Sequence, residues 1–244
     1  MININSNKKH NYFITGTNTG VGKTYIAVAM LKYFGNLGLQ TLGLKPVASA
    51  CEPTVAGLRN EDALLLQQYA TCKLTYAEIN PFAFAEPIAP HIAATKTGVE
   101  LSVEKLIAQH KAVVANVSLS SVDPLHMETG VDCCIVEGAG GWLVPLNAQE
   151  TIADFAVALG FPVVLVVSIE LGCINHALLT YNSIIASGAQ VAGWVANCRQ
   201  ADMLAAAENI ASIAARIAAP LLSIVKHGAM VDFADQQYGD HFAT

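Results

Sequence analysis

Charge is scarce in this sequence: Lys and Arg number 13, Asp and Glu 19, and together they make up only 13% of the 244 residues. No cluster of basic residues stands anywhere, and the net charge is −6. A duplex binder neutralises many phosphates with such clusters, so nucleic acid is excluded as an expected partner. Long apolar runs are missing as well. Phe161 to Ile169 meets Glu170, and Ala201 to Ala219 is interrupted by Asp202, Glu208 and Arg216, whereas a membrane span needs about 20 apolar residues. Met1 to Asn11 is polar and lacks the apolar core of an export signal, so a soluble, cytoplasmic protein is expected. Cysteine pairs of the C-x-x-C kind are absent too. Cys51, Cys72, Cys133, Cys134, Cys173 and Cys198 mostly sit in apolar runs, as reduced core thiols do, which disfavours a zinc site.

What the chain does have is apolar residues, at 53%, enough to fill strands buried on both faces and the helices that cover them, with surface left for a subunit contact. The stretch around which the rest is organised is Tyr12-Phe13-Ile14 followed by Thr15-Gly16-Thr17-Asn18-Thr19-Gly20-Val21-Gly22-Lys23-Thr24 and a helical pattern. Strand, glycine-rich loop and helix in that order, with Gly-Lys-Thr at the junction, form a phosphate loop. Its backbone N–H groups wrap phosphate oxygens, the lysine reaches the outer phosphates, the hydroxyl holds Mg²⁺, and the helix adds its positive end. Five residues separate Gly16 from Gly22 where the standard pattern has four.

Further along, Ile26, Ala29, Met30, Tyr33 and Phe34 recur at helical spacing, with Gly35 and Gly38 marking the helix end. Thr41–Leu44, Val131–Val136, Pro162–Val167, Val191–Ala196 and Leu221–Val225 read as strands. Ala63–Ala70, Leu101–Asn116, Thr151–Leu159, Ser168–Ser187 and Ala201–Ala218 contain helices. Pro81–Thr97, with three prolines, reads as a loop with short ordered pieces, and Val117–Thr129 as irregular. The alternation predicts a three-layer α/β fold, a mainly parallel sheet of about seven strands with helices on both faces, in one domain over 1–244. Residues 1–10 form a polar tail, and 231–244 are unassigned.

Several residues sit where such sheets bind ligands, at the C-terminal strand ends. Glu137 ends a buried strand before four small residues and Trp142, and Asp62 opens a helix; both are carboxylates that Mg²⁺ accepts. Asp62 reads equally as a helix-dipole partner. Lys45 can bring a compact positive charge to an anionic intermediate, or be a solvated loop lysine. Ser49 is a ligand hydroxyl or a turn residue. Gly172-Cys173-Ile174-Asn175-His176 opens a helix whose free N–H groups can hold a carboxylate. Asn197 can read a base edge or merely end a strand, and Cys133 and Cys134, pointing to opposite faces, are core.

These segments together resemble the dethiobiotin synthetase family. The likeness rests on Gly16–Thr24, Lys45-Pro46-Val47-Ala48-Ser49, Gly57-Leu58-Arg59-Asn60-Glu61-Asp62, Asn80-Pro81-Phe82, Phe84-Ala85-Glu86-Pro87, Pro90-His91, Val136-Glu137-Gly138-Ala139-Gly140-Gly141-Trp142, Leu171–Ala177 and Gly193-Trp194-Val195-Ala196-Asn197. It implies a homodimer of the P-loop NTPase fold that takes 7,8-diaminopelargonate, CO₂ and Mg-ATP through a carbamate and a carbamic-phosphoric mixed anhydride. Carried over by position, Lys45 and Lys23 would be catalytic, and Thr24, Asp62 and Glu137 would hold Mg²⁺. ATP would meet Gly20, Val21, Gly22, Lys23, Thr24, Tyr25, Asp62, Glu137, Gly138, Ala139, Gly140, Asn197, Cys198, Lys226, His227 and Gly228, with Asn197 facing adenine. Thr19, Ser49 and Gly141 would lie near diamine and carbamate, and Cys173, Ile174 and Asn175 of the other subunit near the far carboxylate.

The chain departs from the family pattern in two places. Asn18 stands where an aspartate is common, and Ser223-Ile224-Val225-Lys226-His227-Gly228 replaces the usual glycine, acid and Ile-Pro pair. A partition or metal-delivery ATPase, in which ATP drives dimerisation, is the alternative. Such proteins place a lysine where Asn18 stands, and they leave Lys45-Pro46 and Gly172–His176 without a role.

Overall fold

A computed structural model describes residues 9–120, 130–229, 231 and 233. The first half runs β1 (His10–Gly16), α1 (Lys23–Asn36), β2 (Thr41–Leu44), β3 (Val47–Ala48), β4 (Glu52–Thr54), β5 (Gly57–Arg59), α2 (Glu61–Tyr69), α3 (Tyr76–Ile79), β6 (Phe82–Ala83), α4 (Pro90–Thr97) and α5 (Val103–Ser120). The second half runs β7 (Cys133–Glu137), α6 (Ile152–Leu159), β8 (Val163–Ser168), α7 (Cys173–Ala186), β9 (Val191–Asn197), α8 (Ala206–Ala214) and β10 (Leu221–Val225).

Six strands form a parallel sheet in the order β10-β9-β8-β1-β7-β2. β7 and β8 are buried at every position, as unbroken apolar strands must be when helices cover both faces. Side chains alternate between two cores because the strand period is two. Phe13, Cys134, Leu165 and Val167 pack on the face with α5, α6, α7 and α8. Ile14, Cys133, Ile135, Val164 and Val166 pack on the face with α1. The two adjacent cysteines therefore serve both cores, as their neighbouring positions predict.

The sheet has six strands among the described residues, against about seven expected. After Leu44 the chain turns away at Pro46, which cannot donate to a ladder. β3 then pairs with β6, and β4 with β5, in two separate two-stranded ribbons.

The proline-rich stretch holds a helix rather than only a loop. Pro90 occupies the first position of α4, where a missing N–H costs nothing, and Gly98 ends the helix at φ +69°. α1 runs through Gly35 to Asn36 and closes before Gly38 at φ +85°. α8 is shorter than its alanine run, starting after Ala205 in a left-handed conformation at φ +54°. α5 continues to Ser120, so only 121–129 of the stretch read as irregular falls outside the described residues, as do 1–8 of the polar tail.

Candidate active site at the C-terminal edge of the sheet

β1 lies between β8 and β7, the point where strand order reverses, and the phosphate loop leaves its C-terminal end. Gly22 adopts φ +98° immediately before α1, a conformation that side chains with a Cβ rarely take. A Cβ there would also meet the Asn197 amide nitrogen at 2.2 Å. Behind the loop, the Gly138–Gly141 run lies against it: Gly138 N–H donates to Ile14 O at 3.0 Å. A Cβ on Gly141 would stand 3.6 Å from Gly16 O, while one on Gly140 would come within 2.7 Å of Val144. At Gly140, whose φ is +66°, a side chain would collide with Val144.

Charged side chains converge from four elements. Lys45 Nζ lies 2.5 Å from Glu137 Oε1 and 3.2 Å from Asp62 Oδ2, and Thr24 Oγ1 donates to the same Glu137 oxygen at 3.0 Å. Lys45 and Glu137 are buried, whereas the Asp62 side chain is 40% exposed. Burial is the strongest influence on Lys45 and acts to lower its pKa. Glu137 and Asp62 together outweigh it by charge and hydrogen bonds, so the ammonium is held above its ordinary value. For Asp62, burial is again the largest influence and acts upward. Lys45, Thr24 and Lys23 overcome it and depress the carboxyl. Lys23 differs: burial, then repulsion from Lys45, pulls it down to about 8 despite Glu137 and Asp62. Among the described residues its ammonium donates only to Asn18 O, at 3.0 Å.

The fit to Mg²⁺ can be tested on these atoms. Glu137 Oε2 is buried without a hydrogen-bond partner, an expensive arrangement that an added cation relieves. With Thr24 Oγ1 and Asp62 beside it, the donor set is all oxygen, with two carboxylates. That suits an ion that retains waters and shares phosphate oxygens. No cluster of three or more His, Cys, Asp or Glu that would hold a metal by themselves occurs among the described residues.

Next to Lys45 opens a cleft of about 420 Å³ lined by Thr19, Ser49, Asp62, Ala139, Gly140 and Val144. Ser49 Oγ is buried there without a partner. On the opposite side of the loop, Asn197 Nδ2 donates to Val21 O at 2.8 Å. Its amide therefore braces the phosphate loop. Tyr25 O–H donates to Ala229 O at 2.6 Å, and His227 Nδ1 donates to Arg199 O at 2.6 Å. Cys198 N–H donates to Val225 O, while Lys226, His227 and Gly228 are exposed just beyond β10. The sequence-predicted ATP residues thus gather on both flanks of one loop.

α7 starts at Cys173, after Gly172. Cys173 is buried and its N–H already donates to Glu170 O at 3.0 Å. That corrects the expectation of a free N–H at this position; Ile174 and Asn175 follow it at the helix start.

One constellation went unnoticed in the sequence. Lys45 N–H donates to Ile79 O, and its carbonyl accepts from Asn80 Nδ2 at 2.6 Å. Tyr76 O–H donates to Asn80 Oδ1 at 2.9 Å and accepts from Asn60 N–H at 2.7 Å, while Asn60 caps α2 through Ala63 N–H. α3 thereby ties the lysine to the helix that carries Asp62. Asn80-Pro81-Phe82 was visible as a motif; its role needed the fold.

The family model described as "AAA domain" matches residues 10–233. The ATP-dependent dethiobiotin synthetase BioD of Pseudomonas aeruginosa is 47% identical over 88% of this chain and 88% of its own length. That of Cellvibrio japonicus is 49% identical over 89% of each, and that of Xanthomonas axonopodis pv. citri is 40% identical over 93% and 96%. Among solved structures, the signal recognition particle receptor FtsY from Elizabethkingia anophelis aligns with a TM-score of 0.47 and 15% identity. It covers 98% of this chain, which spans just under two thirds of that receptor, 66%. The glycine loop, the Lys45–Glu137–Asp62 cluster and the relatives converge: the chain belongs to the ATP-dependent dethiobiotin synthetase family.

Proposed function

We propose that this protein closes the ureido ring of dethiobiotin from 7,8-diaminopelargonate, CO₂ and ATP. One amine of the substrate adds to CO₂ and loses a proton, giving a carbamate. A carbamate oxygen attacks the γ-phosphorus and ADP leaves, giving a carbamic-phosphoric mixed anhydride. The second amine then attacks the carbonyl carbon, expelling phosphate and closing the ring. Both the carbamate and the γ-phosphate are anions that repel each other, so the protein's task is to position them and neutralise their charge.

The observation that carries this reading is Lys45, buried and fixed at the mouth of the cleft beside Lys23, 2.5 Å from Glu137. Lys23 offers its ammonium to the outer phosphates, and Lys45 lies where phosphoryl donor and carbamate must meet. Thr19 and the unpartnered Ser49 hydroxyl suit the carbamate. Thr24, Glu137 and Asp62 would hold Mg²⁺, which supplies Lewis-acid neutralisation of phosphate oxygens. In the partition-ATPase reading, Lys45 and the cleft beside it have no task.

Exposed Leu143, Leu171 and Leu179, the second of them 95% accessible, support a homodimer in which α7 of one subunit meets the far carboxylate of substrate bound to the other. Action in the cytoplasm, in biotin biosynthesis, follows from the same reading. Incubating the purified protein with the diamine, ¹³C-bicarbonate and Mg-ATP should yield dethiobiotin carrying one heavy carbon by mass spectrometry. ATP hydrolysis without labelled product refutes the assignment.

A further inference from the structure

Arg199 takes no part in the family resemblance, yet it lies at the phosphate loop. Its Nη1 is 3.7 Å from where a Cβ on Gly20 would stand, so the guanidinium lies beside the loop at a position that has no side chain. Gly20 itself adopts φ +75°. The base of the arginine is held: Cys198 N–H donates to Val225 O, and His227 Nδ1 donates to Arg199 O at 2.6 Å. Asn197 fastens the same segment to Val21 O. The guanidinium is exposed, and none of the ion pairs among the described residues uses it. An unpaired arginine in a chain of net charge −6 has carboxylates to choose from, but here it faces the loop.

Direction follows from the sheet order. Lys45, Asp62 and Glu137 reach the loop from the β2 and β7 side, and Arg199 reaches it from the β9 and β10 side. A triphosphate laid along the loop with its terminal phosphate at Lys45 has its nucleoside end toward β9. We infer that Arg199 binds the nucleoside-proximal phosphates of the nucleotide, closing the phosphate loop from the flank opposite Lys45. This rests on the nucleotide-binding reading above. Arginine suits such a contact because its planar fork presents paired donors to phosphate oxygens.

The test compares the full-length protein with Arg199→Ala, Arg199→Lys and Lys23→Ala by calorimetric titration with Mg-ATP and Mg-ADP at several salt concentrations. Arg199→Ala should raise Kd for ATP and ADP alike, about five- to twentyfold, as expected for a partly exposed charge-assisted contact. It should also flatten the salt dependence of Kd. Arg199→Lys should recover part of the affinity. Kd values within about twofold of the unmutated protein, or a loss with the salt dependence unchanged, overturn the inference. Loss confined to ATP would put the contact at the terminal phosphate and overturn it too. Failure of the unmutated protein to bind either nucleotide would refute the underlying reading, a result distinguishable because it needs no mutation.

Discussion

Replacing Lys45 with Met keeps a flexible apolar stem of similar length and removes one charge from between two carboxylates. The two partners respond unequally. Asp62 is 40% exposed and water screens it, so its loss contributes little. Glu137, 1% exposed, becomes a buried anion whose Oε1 keeps only the Thr24 hydroxyl and whose Oε2 has no partner. Breaking a buried pair in this way costs about 3–5 kcal/mol.

A destabilisation of about 3 kcal/mol at pH 7 lowers Tm by roughly 6–12 °C in a chain of this length. Scanning calorimetry without Mg²⁺ or nucleotide measures it. Adding Glu137→Gln to the Lys45→Met variant should restore most of the loss, because the stranded charge is gone. A Tm within about 1 °C of the unmutated protein, or no recovery in the double variant, would show that Lys45 is not the counter-ion of Glu137.

Three further outcomes follow from the same geometry. Asn197→Ala removes the brace on Val21 O and should raise the Kd of ATP about tenfold while the diamine KM moves less than twofold; equal weakening of both would place Asn197 outside the nucleotide site. Tyr76→Phe breaks the link between Asn60 and Asn80 and should lower kcat about five- to twentyfold with little change in nucleotide Kd, and an unchanged kcat would mean that Lys45 is positioned without α3. Lys23 loses its charge above about 8, so the Kd for ATP, measured by titration from pH 7 to 9.5, should stay flat at first and rise beyond that point; a flat profile throughout removes Lys23 from phosphate binding.

The strands and the loop were legible because their signals are local. β8 is a run of valine and leucine, and Gly-Lys-Thr after β1 fixes both the turn and the helix start. Glu137 could be read because it ends such a run. α4 is hard to read among prolines, one of which is its N-terminal residue, whereas α1 ends at Asn36, between the two glycines that mark its end. Contacts between distant segments were beyond reach. Asn80 and Lys45 are 35 residues apart, and Asn197 and Val21 are 176 apart, so only the fold reveals that one amide orients the lysine and the other holds the loop. Neither reading of Asn197, base edge or strand terminus, includes the bond by which its amide nitrogen holds Val21 O.

The two site lysines are neighbours whose electrostatics point in opposite directions, and the difference bears on how the reaction is organised. Lys45 has two carboxylates within 3.2 Å and is a satisfied cation before any reactant arrives. Among the described residues Lys23 has only a backbone carbonyl as hydrogen-bond partner, and it is pulled down to about 8 by burial and by Lys45 itself. A buried cation short of counter-charge gains most from an incoming anion, so in the proposed reaction Lys23 would supply the driving force for capturing phosphate. Lys45 would gain less, because any new anion must compete with Glu137 and Asp62. In that reaction it would do little for ground-state affinity, and its charge would become useful where negative charge concentrates between γ-phosphate and carbamate, the condition under which a cation raises turnover rather than merely tightening binding. Nucleotide affinity should thus fall more in Lys23→Ala than in Lys45→Ala, while turnover by nucleotide-saturated protein falls more than a hundredfold in Lys45→Ala. The reverse ranking, measured by titration and by steady-state rates on the same preparations, would show that the two lysines share one task.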